Sequence, residues 1–196
     1  MSERYQFLRP LAFMTIDGPS LGLYRLVWPV AVTVIALLAY VLLPERVDLV
    51  GDKSAADYMA GFFATLPGFF IAALAAVATF NGGDLDKELP GVTVAMVVNG
   101  DEDNLPISLR VFLCYLFAYL TVISFVGFFI CVGAALIAPS VATWAADFND
   151  VKLLEHTALV VSLSFVALLT FITASVLFCT IQGLYFLAER VHQTIL

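Results

Sequence analysis

Four long runs dominated by apolar residues, separated by shorter polar breaks, organise this chain. The runs cover residues 26–43, 59–80, 111–137 and 157–188, and none of them contains Asp, Glu, Lys or Arg. A helix rises about 1.5 Å per residue, so each run can cross a hydrocarbon core of roughly 30 Å. The pattern predicts an all-α integral membrane protein whose four transmembrane helices form one domain over residues 1–196.

Small residues recur at every fourth position of the second run. Close-packing membrane helices often carry such a stripe, because small side chains let two backbones approach each other. The sequence therefore predicts that the second helix is the packing centre of the chain, with contacts either inside the chain or between subunits of a homo-oligomer. The predicted helix-packing residues are Ala64, Gly68, Ala72 and Ala76.

The polar segment 81–110 is the longest break between the runs. Its β-branched stretch 92–98 ends at Asn99 and Gly100, which predicts a strand followed by a turn. A single strand is not stable, so it needs a partner in residues 105–109, in another subunit or in a second protein. Pro106 suits only an outer strand, because it lacks a backbone donor. We therefore expect a small cytoplasmic β element between helices two and three, with a free edge near Val94.

Acidic residues flank that strand on both sides. They predict a surface for a basic cytoplasmic protein, although a solvated acidic loop is the simpler interpretation. Their spacing does not match a calcium-binding EF-hand loop. The predicted partner-binding residues are Asp84, Asp86, Glu88, Val94, Asp101, Glu102 and Asp103.

Composition narrows the classes of function. The chain is 62% hydrophobic and 13% charged, with a formal net charge of -7, whereas soluble proteins are about 45–50% apolar and 25% charged. It has no cluster of basic residues for nucleic acid or an anionic membrane surface. We expect contact with membrane lipid and no direct contact with nucleic acid.

The four runs also lack the side chains of intramembrane catalysis. Cys114, Cys131 and Cys179 lie in runs that contain no His, and no run contains a carboxylate pair. Nucleophilic and acid–base catalysis need such groups side by side, and proton-coupled transport needs an ionisable group within the bilayer. We therefore expect no enzymatic activity, no catalytic residue, no cofactor and no metal.

Charge asymmetry predicts the orientation. Six of the nine Lys and Arg residues lie in the N-terminal tail, segment 81–110 and the C-terminal tail, and three lie in the other two breaks. Positive loops stay in the cytoplasm. We expect a multi-pass protein with both termini and the acidic loop 81–110 in the cytoplasm.

This layout resembles the small four-span membrane subunits of bacterial anti-phage defence systems, the Kiwa membrane subunit in particular. Segment 66–81, LPGFFIAALAAVATFN, is similar to stretches in bacterial membrane proteins of this size. The resemblance implies an inner-membrane homo-oligomer that senses envelope disturbance and docks a soluble effector. It assigns no role to an individual residue.

Two functions remain open from the sequence. The first is a non-enzymatic membrane subunit that oligomerises and docks a cytoplasmic partner. The alternative is a homo-oligomeric passive pore, lined by hydroxyl groups of the fourth run or gated by Phe125, Phe128 and Phe129. Those hydroxyls have a simpler use as donors to carbonyls of their own helix, and those rings are more often lipid-facing or core residues.

Overall fold

The computed structural model describes residues 13–18, 21–43, 48–51, 53–80, 85–98, 101–146 and 151–192. Within these residues four helices are long and apolar enough to cross a membrane, which confirms the predicted fold class. The helices are α1 (Trp28–Leu42, continuing a π-helical turn over Leu23–Val27), α2 (Ala55–Thr79), α3 (Leu109–Ala146) and α4 (Val151–His192).

Helices α3 and α4 are longer than the apolar runs that predicted them. They contain 38 and 42 residues, which corresponds to lengths of about 57 and 63 Å. Both therefore exceed the roughly 30 Å of a hydrocarbon core. The polar residues beyond each apolar run are also helical, so the helices do not end where the runs end.

Local chemistry at the helix starts agrees with the sequence. Ser54 is the N-cap of α2, and its hydroxyl accepts a hydrogen bond from the Asp57 backbone N–H at 3.4 Å. Pro29 lies in the first turn of α1, where a missing backbone donor costs little. Pro67 lies inside α2, is buried, and does not interrupt the helix.

The helices pack as a row and not in the order of the chain. Helix α1 packs on α4, α4 packs on α3, and α3 packs on α2. Across the described residues, α1 and α2 have at most marginal contact, although a short connection joins them. The Trp28 and Phe178 rings, whose centroids are 5.9 Å apart, illustrate the pairing of α1 with α4.

The core lies around the first half of α3 and not along the small stripe of α2. Phe112, Leu113, Leu116 and Leu120 of α3 are fully buried, and α3 contacts α2, α4 and the sheet. The prediction that α2 is the packing centre is therefore wrong. Helix α3 has neighbours on three sides, whereas α2 lies at the end of the row.

The predicted packing residues of α2 point away from the rest of the chain. Ala64, Gly68, Ala72 and Ala76 are all exposed. No described atom lies within 4 Å of a Cβ built on Gly68, apart from its own helix and neighbours. The stripe is therefore not a packing surface inside the chain, and its use between subunits stays a prediction.

A three-stranded antiparallel sheet forms within the described residues. Its strands are β1 (Ile16–Asp17), β2 (Glu88–Val98) and β3 (Asp101–Ser108), in the order β1-β2-β3. The predicted strand over 92–98 is confirmed and begins four residues earlier. Val98 pairs with Asp101, so residues 99 and 100, the predicted turn, connect β2 to β3 and lie outside the described residues.

The free strand edge expected near Val94 does not exist. Val94 is opposite Leu105 on one side and opposite Ile16 on the other. The N-terminal segment supplies the second neighbour, which the sequence pattern did not predict. Pro106 lies on the outer strand β3, as expected, opposite Thr93 and beside an irregularity in the register.

Candidate functional site

The candidate site is the sheet end of the bundle, where α1 and α3 begin, α2 and α4 end, and the sheet attaches. Helix α3 follows directly from β3, and the backbone N–H groups of Leu109 and Arg110 donate to the carbonyls of Lys87 and Leu85 at 3.2 and 2.8 Å. The ring centroids of Phe112 and Phe186 lie 5.1 Å apart and connect α3 to the last part of α4.

Arg110 ties three segments together at this end. Its Nε and Nη2 donate to the two carboxylate oxygens of Asp86 at 2.7 and 3.1 Å. Its Nη1 donates to the carbonyls of Val77 and Phe80 at 2.9 and 2.8 Å. We call these contacts the Arg110 clamp, because they hold the end of α2, the loop before β2 and the start of α3 in one arrangement.

The clamp satisfies groups that a helix end leaves without partners. The last carbonyls of α2 have no intrahelical donor, and a cation near a helix C-terminus also complements the helix dipole. The hydrogen bond from Arg110 lowers the pKa of the Asp86 carboxyl below its ordinary value of 3.8, against a smaller opposing effect of desolvation. Asp86 is therefore a structural partner of Arg110 as well as a predicted partner-binding residue.

A second arginine holds the N-terminal segment against the sheet. Arg25 Nη1 donates to the carbonyls of Phe13 and Ile16 at 3.2 and 3.4 Å. The Phe13 and Ile16 side chains are each 1% exposed, and the Phe13 ring lies 5.2 Å from the ring of Tyr119 between centroids. Residues 13–17, here called the N-terminal strap, therefore cover the edge of β2 at Thr93 and Val94.

The structure separates the predicted acidic residues into two groups. Asp86 and Glu88 lie at the base of the β2–β3 hairpin, next to the helices, while Asp101, Glu102 and Asp103 pair with the last residues of β2 at its tip. Strand β2 contains 11 residues, so the groups are roughly 30 Å apart at about 3.3 Å per residue. Asp84 lies outside the described residues.

Arg110 and Arg25 are residues whose roles the sequence reasoning missed. A cation in the first turn of a helix opposes the helix dipole, and Arg110 is the second residue of α3. Such a placement signals that the guanidinium finds acceptors on another element. Its partners could not be named from the sequence, because Val77 and Asp86 approach it only in the folded chain.

No family model, curated protein or solved structure matches this chain.

The described hydroxyl groups of the helix bundle hydrogen-bond mostly within their own helices. Thr170, Thr173 and Thr180 of α4 each donate to the carbonyl four residues earlier in their own helix, which supports the simpler interpretation of these hydroxyls. Thr173 Oγ1 also lies 3.9 Å from Met59 Sδ of α2. Phe125 and Phe129 of α3 are exposed at 42% and 66%. In the described part of the chain, no group of three or more His, Cys, Asp or Glu residues is placed to hold a metal ion.

Proposed function

We propose that this protein is a non-enzymatic subunit of the bacterial inner membrane that forms a homo-oligomer and docks a cytoplasmic protein. The β2–β3 hairpin is the docking element. The observation that carries this proposal is the attachment of the hairpin to the helix bundle, through the Arg110 clamp at its base and the N-terminal strap at Thr93 and Val94 of β2. A change within the membrane helices can therefore reach a protein bound at the tip.

The charge of the tip defines the chemistry of the partner. Asp101, Glu102 and Asp103 follow one another on strand β3, so their backbone positions are ordered by pairing with β2. Carboxylate clusters favour and orient association with basic surfaces. The proposed partner is a soluble protein with a basic patch, and the resemblance to anti-phage membrane subunits supports an anchoring or sensing role in such a complex.

Charge reversal at the tip tests the docking proposal. We expect the triple variant Asp101→Lys, Glu102→Lys, Asp103→Lys to lose a partner that wild type recovers from native membranes. A matched control reverses Asp48 and Glu155, which are exposed and lie outside the sheet end, and it should retain the partner. The recovered complex should weaken with added salt, because exposed charges are screened. Equal recovery with both variants would overturn the proposal.

Cysteine labelling tests the orientation on which docking depends. Cysteine at Asp48 and at Glu88, in a background without Cys114, Cys131 and Cys179, should react with an impermeant reagent from opposite sides of the membrane. Both positions are exposed. Ser54 lies in the same connection as Asp48, but it is only 2% exposed and is therefore a poor site for a label. Labelling of both from one side would contradict the four-span topology.

A passive homo-oligomeric pore is the second candidate. The row of helices and the outward Phe125 and Phe129 rings favour it, because several copies can enclose a lumen that one copy does not. Purified protein in liposomes should then pass small ions without a partner, and Phe129→Ala should increase the flux. Absence of flux from wild type and variant alike would exclude this candidate.

A further inference from the structure

A cavity lies at the sheet end, between the start of α1 and the last third of α4. Its volume is about 270 Å³. Among the described residues, the wall combines aromatic rings, one aliphatic side chain and one amide. The lining residues are Tyr24, Ile181, Gln182, Tyr185 and Phe186.

The amide in this wall has an unmet hydrogen bond. Gln182 is only 4% exposed, and its Oε1 has no hydrogen-bond partner among the described residues. A buried acceptor without a donor is unfavourable, especially where lipid replaces water. Oε1 is itself covered, but the last torsion of a glutamine side chain is broad and roughly two-fold. A rotation of the amide can therefore present the oxygen to a donor in the cavity.

The aromatic rings define the charge of that donor. Tyr24, Tyr185 and Phe186 border the same space, and the faces of aromatic rings attract cations. The Phe186 ring is held by edge contacts, with centroids 5.1 Å from Phe112 and 5.7 Å from Tyr185. A cation with N–H groups can contact the rings and donate to the amide oxygen, whereas an apolar group packs on the rings but leaves the oxygen without a donor.

The depth of the cavity indicates where such a cation comes from. Tyr24 is the second residue of the span Leu23–Leu42, and Gln182 is near the end of the span Leu154–Leu187. Span ends lie at the headgroup level of the bilayer. Arg25, next to Tyr24, adds a positive charge that suits a phosphate, while its Nη1 points inward to the carbonyls of Phe13 and Ile16.

We propose that this cavity binds a primary ammonium group, supplied by the ethanolamine head of a phospholipid. One ammonium N–H donates to Gln182 Oε1, and the remaining charge lies against the rings of Tyr24, Tyr185 and Phe186. The adjoining phosphate faces the side of Arg25. The proposal does not depend on the docking function of the hairpin.

Phospholipids that share the same acyl chains and differ in their head groups test the amide oxygen and the aromatic rings separately. The purified full chain is exchanged into nanodiscs of phosphatidylglycerol with a minor fraction of phosphatidylethanolamine or phosphatidylcholine, and retained lipid is measured by native mass spectrometry. The choline head keeps the positive charge but has no N–H donor. We expect ethanolamine lipid to be enriched about tenfold over phosphatidylglycerol. The free energy that a hydrogen bond to a charged group contributes corresponds to a ratio of binding constants of about this size. Phosphatidylcholine should be intermediate.

Two variants and one control test the assignment to residues. Gln182→Leu should remove the preference for ethanolamine over choline, and it should fold because it deletes an unsatisfied acceptor. Tyr24→Leu should weaken both lipids. Leu184→Ala, at an exposed position of α4 outside the cavity wall, should change neither.

Other results would overturn the proposal wholly or in part. Equal retention of the three lipids, or an unchanged ethanolamine preference in both Gln182→Leu and Tyr24→Leu, would overturn it. Displacement of the lipid by an equal concentration of soluble O-phosphoethanolamine would retain the ammonium site and overturn its assignment to a lipid. Thermal unfolding in pure phosphatidylglycerol checks that each variant is folded.

Discussion

The two faces of helix α2 differ in a way that its sequence does not reveal. The inner face, with Phe63, Phe70 and Val77, is buried against the rest of the chain, and Phe63 has no exposed surface. The outer face carries the small residues Gly68 and Ala72 and is exposed. The contacts of α2 inside this chain are therefore made by other residues than the predicted stripe, with Phe63 and Phe70 the largest of them.

The close approach of α2 to α3 depends on a glycine of the other helix. A Cβ built on Gly127 of α3 would lie 2.8 Å from Cζ of Phe63, closer than packed carbon atoms come. The Phe63 ring thus occupies the space that Gly127 leaves. Small residues still allow the contact, as expected in lipid, but here the small residue and the ring belong to different helices.

Removal of the Phe63 ring should have the largest effect on the inner face. Phe63→Ala leaves a cavity opposite Gly127, and buried phenylalanine truncations cost about 3–5 kcal/mol. We expect about 3 kcal/mol, since lipid already solvates apolar groups and the cavity dominates the loss. Reversible unfolding in detergent measures it. Phe69→Ala, at an exposed neighbouring ring, is the control, and an equal loss from both variants would contradict the comparison.

Filling the space at Gly127 should be the next largest effect. Gly127→Ala forces the Phe63 ring to move, and overpacking typically costs about 1–3 kcal/mol. The control is Gly133→Ala on the same helix, where no described atom lies within 4 Å of the new Cβ. That variant should keep or slightly raise stability, because alanine is the better helix former. The proposed role of Gly127 fails if the two variants unfold at the same denaturant concentration.

Release of the Arg110 clamp by Asp86→Asn should lower the stability by less than Gly127→Ala does, because Asp86 is 61% exposed. The lowered pKa of Asp86 sets the sign of its pH dependence. A lowered pKa means that the stabilisation is present above the ordinary value of 3.8 and is lost as pH falls through the lowered pKa. Wild type should therefore unfold at a higher temperature than Asp86→Asn at pH 7, and the difference should close in acid.

A matched control checks this pH dependence. Glu88→Gln removes a neighbouring exposed carboxylate that is not bound by Arg110 in the described contacts. It should not show the difference that closes in acid. A gap between wild type and Asp86→Asn that stays constant from pH 7 to pH 3 would show that the ion pair does not stabilise the fold.

The outer face should show the smallest effect on the fold. A Cβ at Gly68 meets no described atom within 4 Å beyond its own helix and neighbours, so Gly68→Leu should lower the free energy of unfolding of the monomer by less than about 0.5 kcal/mol. If the stripe joins subunits, the same variant should lower the mass of the detergent-solubilised particle, because the larger side chain overfills a close crossing. An unchanged mass with both Gly68→Leu and Ala72→Leu would leave the stripe facing lipid.

Strong local patterns in the sequence determined much of the architecture. Long uncharged runs specify membrane helices, because a charge or an unpaired backbone group in lipid is unfavourable. The β-branched stretch within β2, the cap at Ser54 and the position of Pro29 also follow from neighbouring residues alone. The helices, the cap and the proline position depend on contacts within a few positions of the chain, whereas the strand also needs its pairing with β1 and β3.

Only the tertiary structure decided which surfaces meet. The burial of Phe63 instead of Gly68, the pairing of Val94 with Ile16, and the binding of Asp86 by Arg110 all join residues that are distant in the chain. In lipid every face of α2 is apolar enough to face the bilayer, so hydrophobicity does not select the packing face. That choice depends on the shape of the neighbouring helix, here the space at Gly127, which the order of residues in α2 does not contain.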